Sequence, residues 1–120
     1  MRYMLLIYGD DMASANASPE ERKEGYDAYD KYTKWLAEKG WMQAGDPLAS
    51  TDQATTVRVR GEETLTTDGP FAETKEQLGG YYIVDCEDLD QAIEAAAECP
   101  GARYGSMEVR PIVDLETPPA

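Results

Sequence analysis

The chain has no histidine, only two cysteines, and 11 basic residues against 24 acidic ones. Each shortage narrows the function. Without histidine, and with Cys86 and Cys99 at no metal or redox spacing, a zinc or haem site needs unusual ligands. The two thiols are expected reduced and partly buried rather than joined. The acidic run Asp85-Cys86-Glu87-Asp88-Leu89-Asp90 fails as a calcium loop, because Leu89 takes a ligand position and the turn glycine is missing. No cofactor is expected. A net charge of −13 disfavours nucleic acid, whose binding needs neutralised phosphates, and disfavours anionic membranes for the same reason. It reads as a soluble, self-repelling surface. No run reaches the about 20 apolar residues that span a bilayer. The N-terminal apolar run, Tyr3 to Tyr8, stops at Gly9-Asp10-Asp11 and lacks a small-residue cleavage site, so it is no signal peptide. A cytoplasmic protein is expected. Neither nucleotide-binding glycine pattern occurs.

What is present fits one domain over residues 1–115, followed by a loose tail at 116–120, ETPPA. RYMLLIY, residues 2–8, reads as a strand with two apolar faces: Tyr3, Leu5 and Ile7 against Met4, Leu6 and Tyr8. A polar loop follows to about residue 17. Ser18-Pro19-Glu20-Glu21 then combines a cap, a first-turn proline and a capping-box glutamate. The helix runs to Lys39 and stops at Gly40. Its stripe is Arg22, Tyr26, Tyr29, Thr33 and Leu36, with Tyr32 and Trp35 beside it. That aromatic surface reads as core packing plus a subunit contact, or, in a sharper version, as a wall on which a substrate stacks.

Trp41 to Ala44 gives a short strand and Gly45 to Gln53 a loop. Ala54 to Arg60 alternates Thr55, Val57 and Val59 against Thr56, Arg58 and Arg60. A turn at Gly61-Glu62-Glu63 leads into Thr64 to Thr67, making a hairpin. Gly80 to Cys86 is a second strand apolar on both faces, Tyr81 and Ile83 opposing Tyr82, Val84 and Cys86. Asp88 caps a second helix with Gln91 at the reciprocal position and an inner stripe of Leu89, Ala92, Ile93 and Ala96, ended by Pro100-Gly101. Gly105 to Ile112 closes the chain with Met107 and Val109 facing away from Glu108 and Arg110.

This order is βαββαβ with an inserted hairpin, which predicts an α+β, ferredoxin-like sheet with both helices on one face. The first and third strands of such a sheet are central, and they are the two read as apolar on both sides. The expected edges are 54–60 and 105–112. The face without helices leaves central apolar side chains exposed, which predicts a homodimer with a barrel-like core.

The segment DGPFAETKEQLGGYYIVD, from Asp68 to Asp85, closely resembles the signature of DGPF-type proteins in the YCII-related family. The opening RYMLLIYGD, the SPEE helix start, TTVRVR and GSMEVRPI extend the resemblance over most of the chain. The resemblance implies a dimeric α/β barrel built from ferredoxin-like subunits. Members are assigned enzyme roles by analogy with other such barrels, which carry a ligand in a cleft beside the sheet. Some relatives are fused to, or encoded beside, extracytoplasmic-function sigma factors, which implies a protein partner. The YCII branch is associated with a histidine–aspartate pair. That pair cannot exist here without histidine, and Asp68 is the natural candidate for the aspartate that remains.

Asp68-Gly69-Pro70-Phe71 has two readings. As a bend, glycine supplies conformational freedom, Asp68 accepts a hydrogen bond from the Phe71 N–H, Phe71 plugs the core, and Pro70 opens a helical turn through Glu73 to Gln77. As a site, Asp68 sits at a cleft mouth near Glu73, Lys75 and Glu76. Clustered carboxylates raise at least one pKa into the range useful for proton transfer, and Lys75 steadies an oxyanion. Arg58, Arg60 and Arg110, on polar strand faces, add a place for an anion. Taken singly, each of these residues is an ordinary solvated charge. Three functions compete: a small cofactorless lyase or isomerase with Asp68 as acid or base, a non-catalytic binding or accessory module for a small molecule or protein partner, and a ligand-sensing dimer.

Overall fold

The computed structural model describes residues 1–10 and 16–116. Part of the predicted loop before Ser18, and most of the predicted tail, therefore lie outside the described residues. Among these residues, six strands and three α-helices follow in order as β1 (Arg2–Gly9), α1 (Pro19–Lys39), β2 (Met42–Pro47), β3 (Thr55–Arg60), β4 (Glu63–Asp68), β5 (Gln77–Asp85), α2 (Leu89–Glu98), α3 (Gly101–Tyr104) and β6 (Ser106–Pro111). The main sheet has the order β2-β5-β1-β6, every pair antiparallel. That is the ferredoxin-like arrangement, and β1 and β5 take its centre as their two apolar faces predicted. Among the described residues, strands β3 and β4 pair only with each other, as a separate hairpin.

The helix starts form as their caps dictate. The Glu21 N–H donates to Ser18 Oγ at 3.1 Å and the Ser18 N–H to Glu21 Oε1 at 3.4 Å, so two of the three orphan donors left by Pro19, which has no N–H, are satisfied reciprocally. At α2 the Gln91 N–H donates to Asp88 Oδ1, while the side chain of Gln91 reaches back one residue further than expected, to the Glu87 N–H.

Tyr3 and Leu5 of β1, Tyr82 and Val84 of β5, and Tyr32 and Leu36 of α1 are buried together with Ala92, Ala95 and Ala96 of α2. The helix–sheet layer is filled with rings. Tyr32 meets Tyr82 edge-on at 5.1 Å, and Trp35 meets Trp41 edge-on at 5.8 Å. Their hydroxyls are satisfied: Tyr32 donates to the Ala95 carbonyl at 2.6 Å, and Thr33 Oγ1 lies 3.0 Å from the Tyr82 hydroxyl. Gly45 of β2 makes room for this packing, since a Cβ there would stand 2.6 Å from the Tyr82 ring. Cys86 and Cys99 are free and buried. Burial pushes both thiols up from their ordinary pKa, which keeps them protonated and unreactive near neutrality.

Five expectations need correction. The second edge of the sheet is β2, not 54–60. The run MQAGDP lacks strand alternation and carries turn residues, yet it pairs along β5 with a register shift at Met42/Ala44, and its proline sits at the end of an edge strand, where no ladder donor is needed. On α1 the buried positions are Tyr32 and Leu36, while Tyr26 is 75% exposed, because the helix is rotated so that its middle turns cover the sheet and its first turns overhang. On α2 the close approach selects the alanines, Ala95 among them, and leaves Leu89 and Ile93 exposed. Phe71 is 81% exposed and plugs nothing. No helical turn follows Pro70; the chain bends at Phe71-Ala72 and again at Lys75-Glu76 before it enters β5 at Gln77. No helix among the described residues is long and apolar enough to cross a membrane, which says nothing of strand-built membrane proteins.

Candidate functional site

The bend after β4 is held by groups other than the Asp68 carboxylate. Gly69 has φ of 97°, a region open to glycine and strained for other residues. Its N–H donates to the Ala54 carbonyl at 2.7 Å, and its carbonyl accepts from Thr56 Oγ1 at 2.8 Å. Further on, Gln77 Nε2 donates to the carbonyls of Ala72 and Thr74, which fixes the entry to β5. The expected bond from the Phe71 N–H to Asp68 is not among these. Asp68 is exposed, and its carboxylate has no hydrogen-bond or ion-pair partner among the described residues.

The register of the hairpin places the other candidates. Asp68 pairs with Thr55, and Arg58 and Arg60 pair with Leu65 and Glu63. Opposed residues share a face and neighbours alternate. Asp68 therefore lies with Thr55, Val57 and Val59, on the side away from Arg58 and Arg60. Arg60 Nη1 donates to the Val59 carbonyl at 3.0 Å. Glu73 and Lys75 are exposed on the loop leading to β5. Arg110 belongs to the main sheet, where Nη2 meets Glu108 Oε2 at 2.8 Å. Among the described residues, no hydrogen bond or ion pair joins any of these six to another.

Arg110 lies on the helix-free face of the sheet, whose composition follows from the ladder. One row across it runs Asp46, Tyr81, Leu6, Glu108; the next runs Ala44, Ile83, Met4, Arg110. An apolar floor of Met4, Leu6 and Ile83 is thus flanked by two acid–phenol pairs. The Tyr81 hydroxyl donates to Asp46 Oδ2 at 2.7 Å, and the Tyr8 hydroxyl to Glu108 Oε1 at 3.4 Å. The bond to Asp46 holds the Tyr81 phenol above its ordinary pKa, and the bond to Glu108 raises that of Arg110. Tyr8, Asp46, Tyr81 and Glu108 were not singled out from the sequence. Glu108 was visible as the partner of Arg110 in the alternation of the last strand. Asp46 was hidden in a stretch that reads as a loop.

Two recesses open on the opposite, helix side. One of about 360 Å³ is lined by Met1, Lys39, Trp41, Asp85, Cys86 and their neighbours, and one of about 250 Å³ by Ala28, Lys31, Tyr32, Trp35 and Glu98. None of the six candidates lines either. Lys39 Nζ stands 5.6 Å from the Trp35 ring and 5.4 Å from the Trp41 ring, so this aromatic pair is already covered by a cation of the chain itself. Among the described residues no three histidine, cysteine, aspartate or glutamate side chains converge as metal ligands.

A family model, the YCII-related domain, matches residues 1–116. An uncharacterized protein of Rhizobium meliloti (strain 1021) is 38% identical over 114 residues, which covers 93% of this chain and 92% of the relative.

Proposed function

The chain belongs to the YCII-related family, and on that footing we propose that it works as a homodimer, sheet face to sheet face, and binds a small anionic molecule between the two sheets. The observation that carries this reading is the helix-free face: an apolar floor with tyrosine, carboxylate and arginine at its margins. The recesses on the helix side of the same sheet are lined by none of the candidate residues, and Lys39 already covers the Trp35–Trp41 pair there. A second copy laid on the open face encloses the floor and lowers the dielectric around Arg110, Glu108 and Tyr8, which strengthens every charge contact there. In this arrangement Arg110 meets the anionic group, and Glu108 orients it. The test is a thermal-shift screen with small carboxylates and phosphate esters. A stabilising compound is expected to lose its effect on Arg110→Gln and on Leu6→Asp, the second of which breaks the sheet contact. A compound that stabilises both variants as it does the parent contradicts the reading.

One observation favours catalysis at the same assembly. The Asp68 carboxylate is exposed and unpartnered while other groups hold its bend, so it is available as a general acid or base for a cofactorless proton transfer. Lys75 and Glu73, on the loop that follows, supply charge at the mouth, and Arg58 and Arg60 lie on the other side of the hairpin. Asp68→Asn is then expected to stop conversion of a bound compound while its binding and the melting temperature persist. Conversion at the parental rate contradicts this role.

A further inference from the structure

The β3–β4 hairpin is an arm without a body to lie on. It shares no ladder with the main sheet, and neither strand makes more than marginal contact with any element but its partner. Every residue of β4 is exposed and all but Thr56 of β3. Yet its sequence is that of a half-buried ribbon. By the register, one face carries Thr55, Val57, Val59, Thr64 and Thr66, all uncharged and β-branched, with Asp68 at the root. The other face carries Arg58, Arg60 and Glu63, with Leu65 and two threonines, Thr56 and Thr67, among them. Val57 is 58% and Val59 59% exposed. Such alternation belongs to a ribbon with one side covered, and an isolated two-stranded hairpin is at best marginally stable in water.

We infer that the arm packs its Val57–Val59 face onto a second copy of the chain. This rests on the dimer reading above and adds where the arm goes. Three observations select a second copy. First, the chain is a slab: its extents are 48 × 46 × 19 Å, and 19 Å is no more than a helix layer on a sheet. Its radius of gyration of 16.4 Å exceeds the about 14 Å of a compact chain of this length. The arm therefore extends the slab sideways instead of standing up from it. Second, the open sheet alone is small. Four strands of about seven residues project to roughly 450 Å², against about 800 Å² contributed by each partner in a stable complex, and the arm narrows that gap by roughly 200 Å². Third, two copies at −13 each repel, so a self-contact favours surfaces free of carboxylates, and this face has none beyond its root. Docking also carries Asp68, on the same face, against the partner's surface. The exposed carboxylate becomes part of a site that a single chain does not complete.

The test uses the full chain. Dimer affinity is measured by sedimentation for the parent, for Val57→Ser with Val59→Ser, and for Arg58→Ser with Arg60→Ser on the opposite face. Exchange of the arm amides is followed in the parent above and below its dissociation constant. The valine pair is expected to weaken the dimer at least about tenfold, since both copies lose the contact. The arginine pair is expected to stay within about threefold of the parent, as rim charges do, and arm protection is expected to vanish on dilution. A valine variant that dimerises like the parent, or arm amides that exchange alike at all concentrations, overturns the inference and leaves the sheet-to-sheet dimer standing. A parent that sediments as a single chain overturns both.

Discussion

Asp68→Asn and Gly69→Ala, at adjacent positions, separate a carboxylate that holds the bend from one that only sits on it. Asp68 is exposed and its carboxylate has no partner among the described residues, so its replacement is expected to change stability by no more than about 0.5 kcal/mol, or about 2 °C. Gly69 is different. A Cβ added there meets nothing within 4 Å, so no clash arises. The cost is the backbone itself, held at φ of 97°, and amounts to about 1–2 kcal/mol for a residue with a side chain. The loss falls on the bonds that Gly69 makes, from its N–H to Ala54 and from Thr56 to its carbonyl, and so on the root of the arm. Native-state hydrogen exchange reads it directly: amides at the arm root should exchange roughly 5- to 30-fold faster in Gly69→Ala and unchanged in Asp68→Asn. If Asp68→Asn loosens the root as much as Gly69→Ala does, the carboxylate is a structural cap and the case for its chemistry fails.

Three further outcomes follow from the core. Leu36 is fully buried, and Leu36→Ala should cost about 2–5 kcal/mol by urea unfolding; a cost below about 1 kcal/mol would mean the helix is not seated as described. Gly45→Ala should cost about 1–3 kcal/mol, because the Tyr82 ring must move and its contact with Thr33 goes with it; spectra of Tyr82 unchanged by the substitution would contradict this. Burial, foremost, raises the pKa of Tyr29 and Tyr32 well above that of free tyrosine, and raises Cys99 as well. The unfolded chain then releases these protons first, so stability is fully present below about pH 8, and falls as pH rises beyond it through the ordinary cysteine and tyrosine ranges. Urea unfolding at about pH 8 and about pH 11 measures the loss, and a flat profile would refute the burial of these groups.

The sequence revealed the fold where one residue type had one physical role. The capping residues Ser18, Glu21 and Asp88 started the helices where expected, and the double apolar faces of β1 and β5 announced the centre of the sheet. It misled where tertiary pairing overrode local signals. MQAGDP carries glycine, aspartate and proline, yet it forms the edge strand, because β5 offers a ladder and Gly45 admits the Tyr82 ring. Leu89 and Ile93 looked like an inner stripe by hydropathy, but the sheet accepts the smaller alanines next to them.

The candidate site was legible only in pieces. Asp68, Arg58, Arg60, Glu73, Lys75 and Arg110 were identified by charge and motif, but charge says nothing of which face a residue takes until the register is known. The register puts Asp68 opposite Arg58 and Arg60, and sends Arg110 to another sheet. The acid–phenol pairs Tyr81–Asp46 and Tyr8–Glu108 depend on neighbours 35 and 100 residues apart in the chain, a separation that no local pattern encodes.

Sedimentation equilibrium of the parent beside Leu6→Asp tests the central claim most directly. Leu6 sits in the middle of the open face, half-buried and outside the core cluster, so the substitution spares the folded chain and places a charge where two sheets are expected to meet. The account predicts twice the chain mass for the parent and a single chain mass for Leu6→Asp, with the same far-ultraviolet spectrum. A parent of single chain mass, or a variant that dimerises as tightly as the parent, contradicts it.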